Sequence, residues 1–202
     1  MSKIKIEKPK LIIIAGPNGS GKTSVTGKIL EHKWIEGCTY INPDNIARDE
    51  FGDWNSPNAV LKAANRAKEL RDQCLKKKSG ILFETVLSAQ DKIDFIQRAK
   101  NEGYFIRLFF VGTDSPVINA SRIARRVMEG GHDVPITKII SRFSKSIANC
   151  CSVSKIVDRL YVYDNSVEFS EPLLLFRAVN GKLEKTYLST NDWAKNILIS
   201  LE

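Results

Sequence analysis

The sequence predicts an α/β fold with a mostly parallel sheet, and three observations carry that expectation. Short, continuously apolar runs such as Lys10-Leu11-Ile12-Ile13-Ile14-Ala15 have the character of strands buried on both faces. Segments of helical period alternate with these runs, as in a layered βαβ arrangement. A glycine-rich turn, Gly16-Pro17-Asn18-Gly19, then separates the first strand from the first helix. With 202 residues, no internal repeat and no linker, one domain over 1–202 is expected.

Along the chain, Thr23 to Glu31 has Val25 and Ile29 four apart and reads as a helix. Cys38-Thr39-Tyr40-Ile41 is the second strand, ending at Asn42-Pro43-Asp44. Ser56-Pro57 opens a helix in which Val60, Leu61, Ala64, Ala67, Leu70 and Cys74 repeat at helical spacing; Lys76-Lys77-Lys78-Ser79-Gly80 stops it. Ile81-Leu82-Phe83-Glu84 is a third strand, Ser88 caps a helix to about Lys100, and Tyr104 to Val111 is the clearest fourth strand. Helices follow from Asp114-Ser115-Pro116 to Gly130-Gly131 and from Pro135 to about Cys150, then a fifth strand at Leu160 to Asp164. Leu173–Val179 and Leu183–Tyr187 flank Asn180-Gly181, a type I′ hairpin signal, and Asn191 to Leu201 is helical.

Hydrophobic residues at 43% and charged residues at 27% exclude disordered and fibrous classes. The net charge of +8 favours anionic partners without choosing among them. No apolar run reaches the roughly 18 residues of a membrane span, and Met1-Ser2-Lys3-Ile4-Lys5 leads into no signal-peptide core, so no membrane partner is expected. Cys38, Cys74, Cys150 and Cys151 lack CxxC or zinc spacing, which suits a reducing cytoplasm.

Gly16-Pro17-Asn18-Gly19-Ser20-Gly21-Lys22-Thr23 matches G-x-x-x-x-G-K-[ST], set between a strand and a helix as the motif requires. Successive backbone N–H groups must curl around a phosphate there, where a Cβ would collide, hence Gly16, Gly19 and Gly21. Lys22 reaches the β- and γ-phosphates and the Thr23 hydroxyl serves Mg²⁺. The expected ligands are ATP or GTP with Mg²⁺; no N-K-x-D segment reads guanine, which favours ATP.

Ligands of open parallel sheets gather beyond the carboxyl ends of the strands. Asp44 and Glu84 stand there. A carboxylate in that crevice can accept an acceptor hydroxyl's proton, whereas the structural alternatives are a helix cap for Asp44 and a partnered carboxylate for Glu84. Glu84 could also contact substrate or support Mg²⁺.

On the helix after Pro116, a rotation of about 100° per residue puts Ala120, Ile123, Ala124, Val127 and Met128 on one side and Arg122, Arg125 and Arg126 on the other. The arginines are either a solvated face or part of a lid at about 114–150 that closes over the transferring phosphate. An arginine so placed contributes about 10³–10⁵ in rate. Gly130-Gly131-His132-Asp133-Val134-Pro135 forms a joint before Arg142 on the next helix; His132 takes no catalytic role, and Lys76-Lys77-Lys78 is a helix end rather than a nucleic-acid site.

Five blocks in this order resemble the zeta-toxin-like P-loop kinases: Gly16 to Thr23, Asn42-Pro43-Asp44, Phe83-Glu84-Thr85, Arg126-Val127-x-x-Gly130-Gly131-His132-x-Val134-Pro135, and Tyr163-Asp164-Asn165-Ser166. The resemblance spans roughly residues 10 to 180. It implies a P-loop NTPase three-layer α/β/α fold with a five-stranded sheet in the order 2-3-1-4-5, to which the chain adds the C-terminal hairpin and helix. It also implies Lys22 as the phosphate-binding lysine, Asp44 as base, Glu84 and Thr85 as substrate contacts, and Arg126 with Arg142 as the lid pair. The Gly-Gly-His insert changes the arginine spacing, so Arg122 and Arg125 stand as alternatives to Arg126. The implied acceptor is a small-molecule hydroxyl such as that of a nucleotide sugar, UDP-N-acetylglucosamine in the toxins, and a protein antitoxin is implied by resemblance only. Besides this ATP-dependent phosphotransferase, a nucleic-acid 5′-hydroxyl kinase and a non-catalytic ATP-dependent binding module remain open.

Overall fold

The computed structural model describes residues 8–52 and 56–202. The charged opening Met1 to Lys5 therefore lies outside the described residues. Seven strands form one sheet in the order β2-β3-β1-β4-β5-β6-β7. They are β1 (Lys10–Ala15), β2 (Cys38–Ile41), β3 (Gly80–Thr85), β4 (Phe105–Gly112), β5 (Arg159–Asp164), β6 (Leu173–Val179) and β7 (Lys182–Thr186). The first five are parallel in the order expected from the resemblance. The C-terminal hairpin is no appendage to that sheet: β6 pairs antiparallel with β5, Val162 opposite Phe176, and β7 pairs with β6, which makes seven strands of the expected five. Asn180 and Gly181 turn the hairpin at φ 50° and 74°, both positive as a type I′ turn demands. β7 is exposed along its length and leaves the edge to Lys182, Glu184 and Lys185.

Among the described residues there are seven α-helices and one short 3-10 turn (Lys33–Ile35): α1 (Lys22–Leu30), α2 (Pro43–Phe51), α3 (Pro57–Lys77), α4 (Gln90–Asn101), α5 (Pro116–Met128), α6 (Ile136–Ser154) and α7 (Asp192–Ile199). Pleat alternation assigns the two sheet faces. Ile12, Ile14, Phe109 and Val111 pack under α1 through Val25 and Ile29. Leu11, Ile13, Phe83, Leu108 and Phe110 face the larger core, built with α2, α3, α4, α6 and α7. A separate cluster, Ile123, Val134 and Ile139, joins α5 to α6.

Four local expectations change. α2 was not anticipated; Asn42 is its N-cap, accepting from the Asp44 N–H at 2.9 Å, and Pro43 supplies the pre-set first turn. α4 starts at Gln90 and not at a Ser88 cap, because Leu87 is left-handed at φ 57° and its N–H is held by Thr85 Oγ1 at 3.0 Å. α3 buries Ala59, Ala63, Ala67 and Cys74, small residues that admit close packing, along with Arg71 and Leu75, and leaves Val60 and Leu61 exposed. In α5, Ile123 and Asn119 are buried while Val127 and Met128 are exposed, since the helix packs on α6 rather than on the sheet.

Candidate active site

The glycine-rich segment turns from β1 into α1 with Gly16, Gly19 and Gly21 at φ 151°, 76° and 86°. A Cβ on Gly19 would stand 2.6 Å from the Asn119 carbonyl oxygen and one on Gly21 would stand 2.0 Å from Asn165 Nδ2, so the loop conformation is closed to other residues. The loop is braced from behind. Asn165, just after β5, donates to the Ser20 carbonyl at 2.9 Å, and Asn119 of α5 donates to the Asn18 carbonyl at 2.6 Å. Asp164 is fixed in turn by Trp193 Nε1 at 3.0 Å and the Ser166 hydroxyl at 2.6 Å.

α1 begins at Lys22 with no side-chain cap, so its first amides and its positive dipole end face the loop's hollow. Ser20 Oγ is buried there without a partner. Lys22 Nζ donates to the carbonyls of Gly16 and Pro17 at 2.9 and 3.0 Å. Burial pushes the Lys22 ammonium down to about 8; the carboxylates of Glu84 and Asp44 oppose that shift, and Arg126 and Arg142 add to it. A hollow lined by amides and crossed by a desolvated ammonium is the chemistry that an oligophosphate satisfies, so the residues fit ATP. Thr23, in the first turn of α1, is the side chain that could meet a magnesium ion, whose remaining ligands would come from phosphates and water. Among the described residues no cluster of three His, Cys, Asp or Glu side chains forms a metal site of its own.

The hollow opens into a cavity of about 510 Å³ at the carboxyl ends of β1, β2 and β3. Asn18, Lys22 and Thr23 line it on the loop side, and Asp44, Glu84 and Thr85 on the β2–β3 side. Asp44 sits in the first turn of α2, exposed at the cavity; the cap is Asn42, not Asp44. Glu84 Oε1 accepts from the Tyr40 hydroxyl at 2.5 Å and from Asn42 Nδ2 at 3.1 Å. Burial and the Glu84 contact raise the Tyr40 phenol above its ordinary pKa, which keeps it a donor. Thr85 is buried at the cavity wall.

The arginines divide. Arg122, Arg126 and Arg142 line the cavity. Arg125 turns away, pairing with Glu168 at 2.8 Å and lying over the Phe169 ring. Arg126 is clamped by Nε and Nη2 to the His132 carbonyl at 3.1 and 2.6 Å, and Arg142 Nη1 donates to Asn18 Oδ1 at 3.3 Å. The Gly-Gly-His joint thus holds Arg126 in place; Gly131 leaves no room for a Cβ beside Arg126 Cγ, 2.5 Å away. Sequence reading missed Tyr40 and Asn119. Tyr40 carried a signal, since it lies two residues before the β2 exit residue Asn42; Asn119, inside a helix, carried none.

Comparison with known proteins places this architecture. An uncharacterized protein of Haemophilus influenzae is 30% identical over 130 residues, 64% of this chain and 89% of that protein. Among solved structures, one from the PezAT chromosomal toxin–antitoxin system of Streptococcus pneumoniae superposes with a TM-score of 0.60 at 16% identity, covering 85% of this chain and 72% of that one. The AvrRxo1-ORF1:AvrRxo1-ORF2 complex with sulphate ions gives 0.71 at 18% identity, covering 95% of this chain; this chain spans 64% of the length of its counterpart there. At those identities the likeness is one of fold. The family model for zeta toxin matches residues 2–170, which contain the phosphate loop, both carboxylates and the cavity arginines, and on that match the chain belongs to the zeta toxin family.

Proposed function

We propose that the protein is an ATP-dependent phosphotransferase acting on a hydroxyl of a small molecule, with residues 1–202 as one domain and α5–α6 as its lid. The observation that carries this is one cavity lined by the phosphate loop, two carboxylates and, from α5 and α6, Arg122, Arg126 and Arg142. The loop amides and Lys22 hold the triphosphate. When bound, Mg·ATP supplies the γ-phosphoryl group, with Thr23 as the side chain toward the metal.

Asp44 takes the proton of the acceptor hydroxyl as that oxygen bonds to the γ-phosphorus and the β,γ bridging bond breaks. Glu84, immobilised by Tyr40 and Asn42, orients the acceptor together with Thr85. Lys22, Arg126 and Arg142 hold the negative charge that spreads over the moving group, and Arg122, on the same helix face as Arg126, is the alternative lid residue. The phosphoryl acceptor of this reading is a hydroxyl compound such as a nucleotide sugar, entering the cavity of about 510 Å³. By its family membership, the chain would also be held by a protein antitoxin.

The test is transfer of radiolabelled γ-phosphate from ATP into a metabolite extract that includes nucleotide sugars, with Asp44→Asn as control. A labelled product made by the wild type and not by the variant supports the reading. ATP binding with no labelled product from any fraction overturns it.

A further inference from the structure

On the α3 side the cavity holds a further cationic group. Arg71 of α3 is 3% exposed and lines the cavity. Its guanidinium lies over Phe83 at 5.2 Å and Phe95 at 5.4 Å. Its Nε is buried without a partner, and among the described residues its guanidinium makes no ion pair. A buried guanidinium is costly unless an anion meets it. Burial accordingly pulls it below its ordinary pKa, with Asp91 and Asp72 attracting it only from a distance.

Two further features converge there. α4 starts without a side-chain cap, and Ser88 and Ala89 at its N-terminus line the cavity. Lys92, ion-paired with Asp91, stands beside them at the wall. Arg71 and Glu84, the carboxylate that faces the acceptor, line the same cavity.

Resting on the phosphotransferase reading, we propose that Arg71, with Lys92 and the α4 N-terminus, binds an oxyanion group carried by the acceptor. Arg71 is then a specificity-determining residue: it selects acceptors bearing a phosphoryl or carboxylate group at one end and the reacting hydroxyl at the other. The bidentate fork and the helix amides suit either oxyanion.

The test uses the full chain saturated with a non-hydrolysable ATP analogue and Mg²⁺, so that the phosphate loop is already filled. Inorganic phosphate and malonate are titrated separately while the Arg71 Nε–H resonance, assigned through bonds, is followed by NMR. A shift with phosphate alone assigns a phosphoryl-bearing acceptor, a shift with malonate alone a carboxylate-bearing one, and a shift with both a general oxyanion site. Binding of the responding anion should weaken at least tenfold in Arg71→Met, which keeps the stem over the phenylalanines, with nucleotide affinity unchanged. No shift with either anion in nucleotide-loaded wild type overturns the inference while leaving the phosphotransferase reading standing. Failure of the ATP analogue itself to bind is the separate result that removes that reading.

Discussion

The Tyr40 hydroxyl donates to Glu84 Oε1 at 2.5 Å, joining the carboxyl ends of β2 and β3 across the cavity floor. With Asn42 as a second donor, that carboxylate is held by groups from the strand end that leads to Asp44. Tyr40→Phe removes the shorter bond and leaves Asn42 as the remaining donor. The expected result is about a tenfold loss in kcat with ATP affinity unchanged, and a stability loss of about 1 kcal/mol by denaturant unfolding. A loss of ATP affinity equal to the loss in kcat would contradict this division.

Asp44→Asn keeps the size of the side chain and its place in the first turn of α2 but removes the proton acceptor. Transfer should fall by about 10²–10⁴ while ATP binding stays within a factor of about two. Single-turnover kinetics on the variant measures the first, and calorimetric titration the second. Turnover near the wild-type rate would take Asp44 out of the base role.

Much of this was legible in the sequence, and the reasons are local. A phosphate loop is a backbone shape, written in three glycines and one lysine. That Asp44 and Glu84 would line one cavity was legible because strand ends mark the ligand side of a parallel sheet, and the hairpin because Asn180-Gly181 tolerates two positive φ angles. What escaped depends on contacts distant in sequence. Helical period alone put Arg122, Arg125 and Arg126 on one side of α5; Glu168 and Phe169, far along the chain, turn Arg125 away from the other two. Arg71 reads as one more charge on a long helix until Phe83 and Phe95 close over it.

The arginine partition gives a direct comparison. Arg126→Ala and Arg142→Ala should each lower kcat by at least about 10²-fold, whereas Arg125→Ala should change it by less than about threefold, because it faces Glu168. Steady-state rates for the three variants decide this. An Arg125 effect as large as that of Arg126 would reverse the assignment.

Lys22 sets a pH dependence. With its free-state value near 8 instead of 10.5, it is neutral above pH 8 in the empty loop, and a bound triphosphate restores the charge. Nucleotide binding at about pH 9 should therefore take up close to one proton, and affinity should fall up to about tenfold per pH unit above 8. Calorimetry in buffers of different ionisation enthalpy measures the uptake. For the nucleotide-free protein the sign is opposite. Between pH 8 and 10.5 the unfolded chain binds the extra proton, so this group's contribution to stability rises with pH across that window.

Trp193 lies in the last helix, yet its indole N–H fixes Asp164, whose neighbour Asn165 holds the Ser20 carbonyl of the phosphate loop. The tail of the polypeptide is thereby a tensioning element for the nucleotide grip, reaching back almost to the chain's beginning through two side chains. Trimming α7, as one might to improve expression, would strip Trp193, Ala194 and Ile197 from the core and loosen the nucleotide grip together, although no residue of α7 lines the cavity.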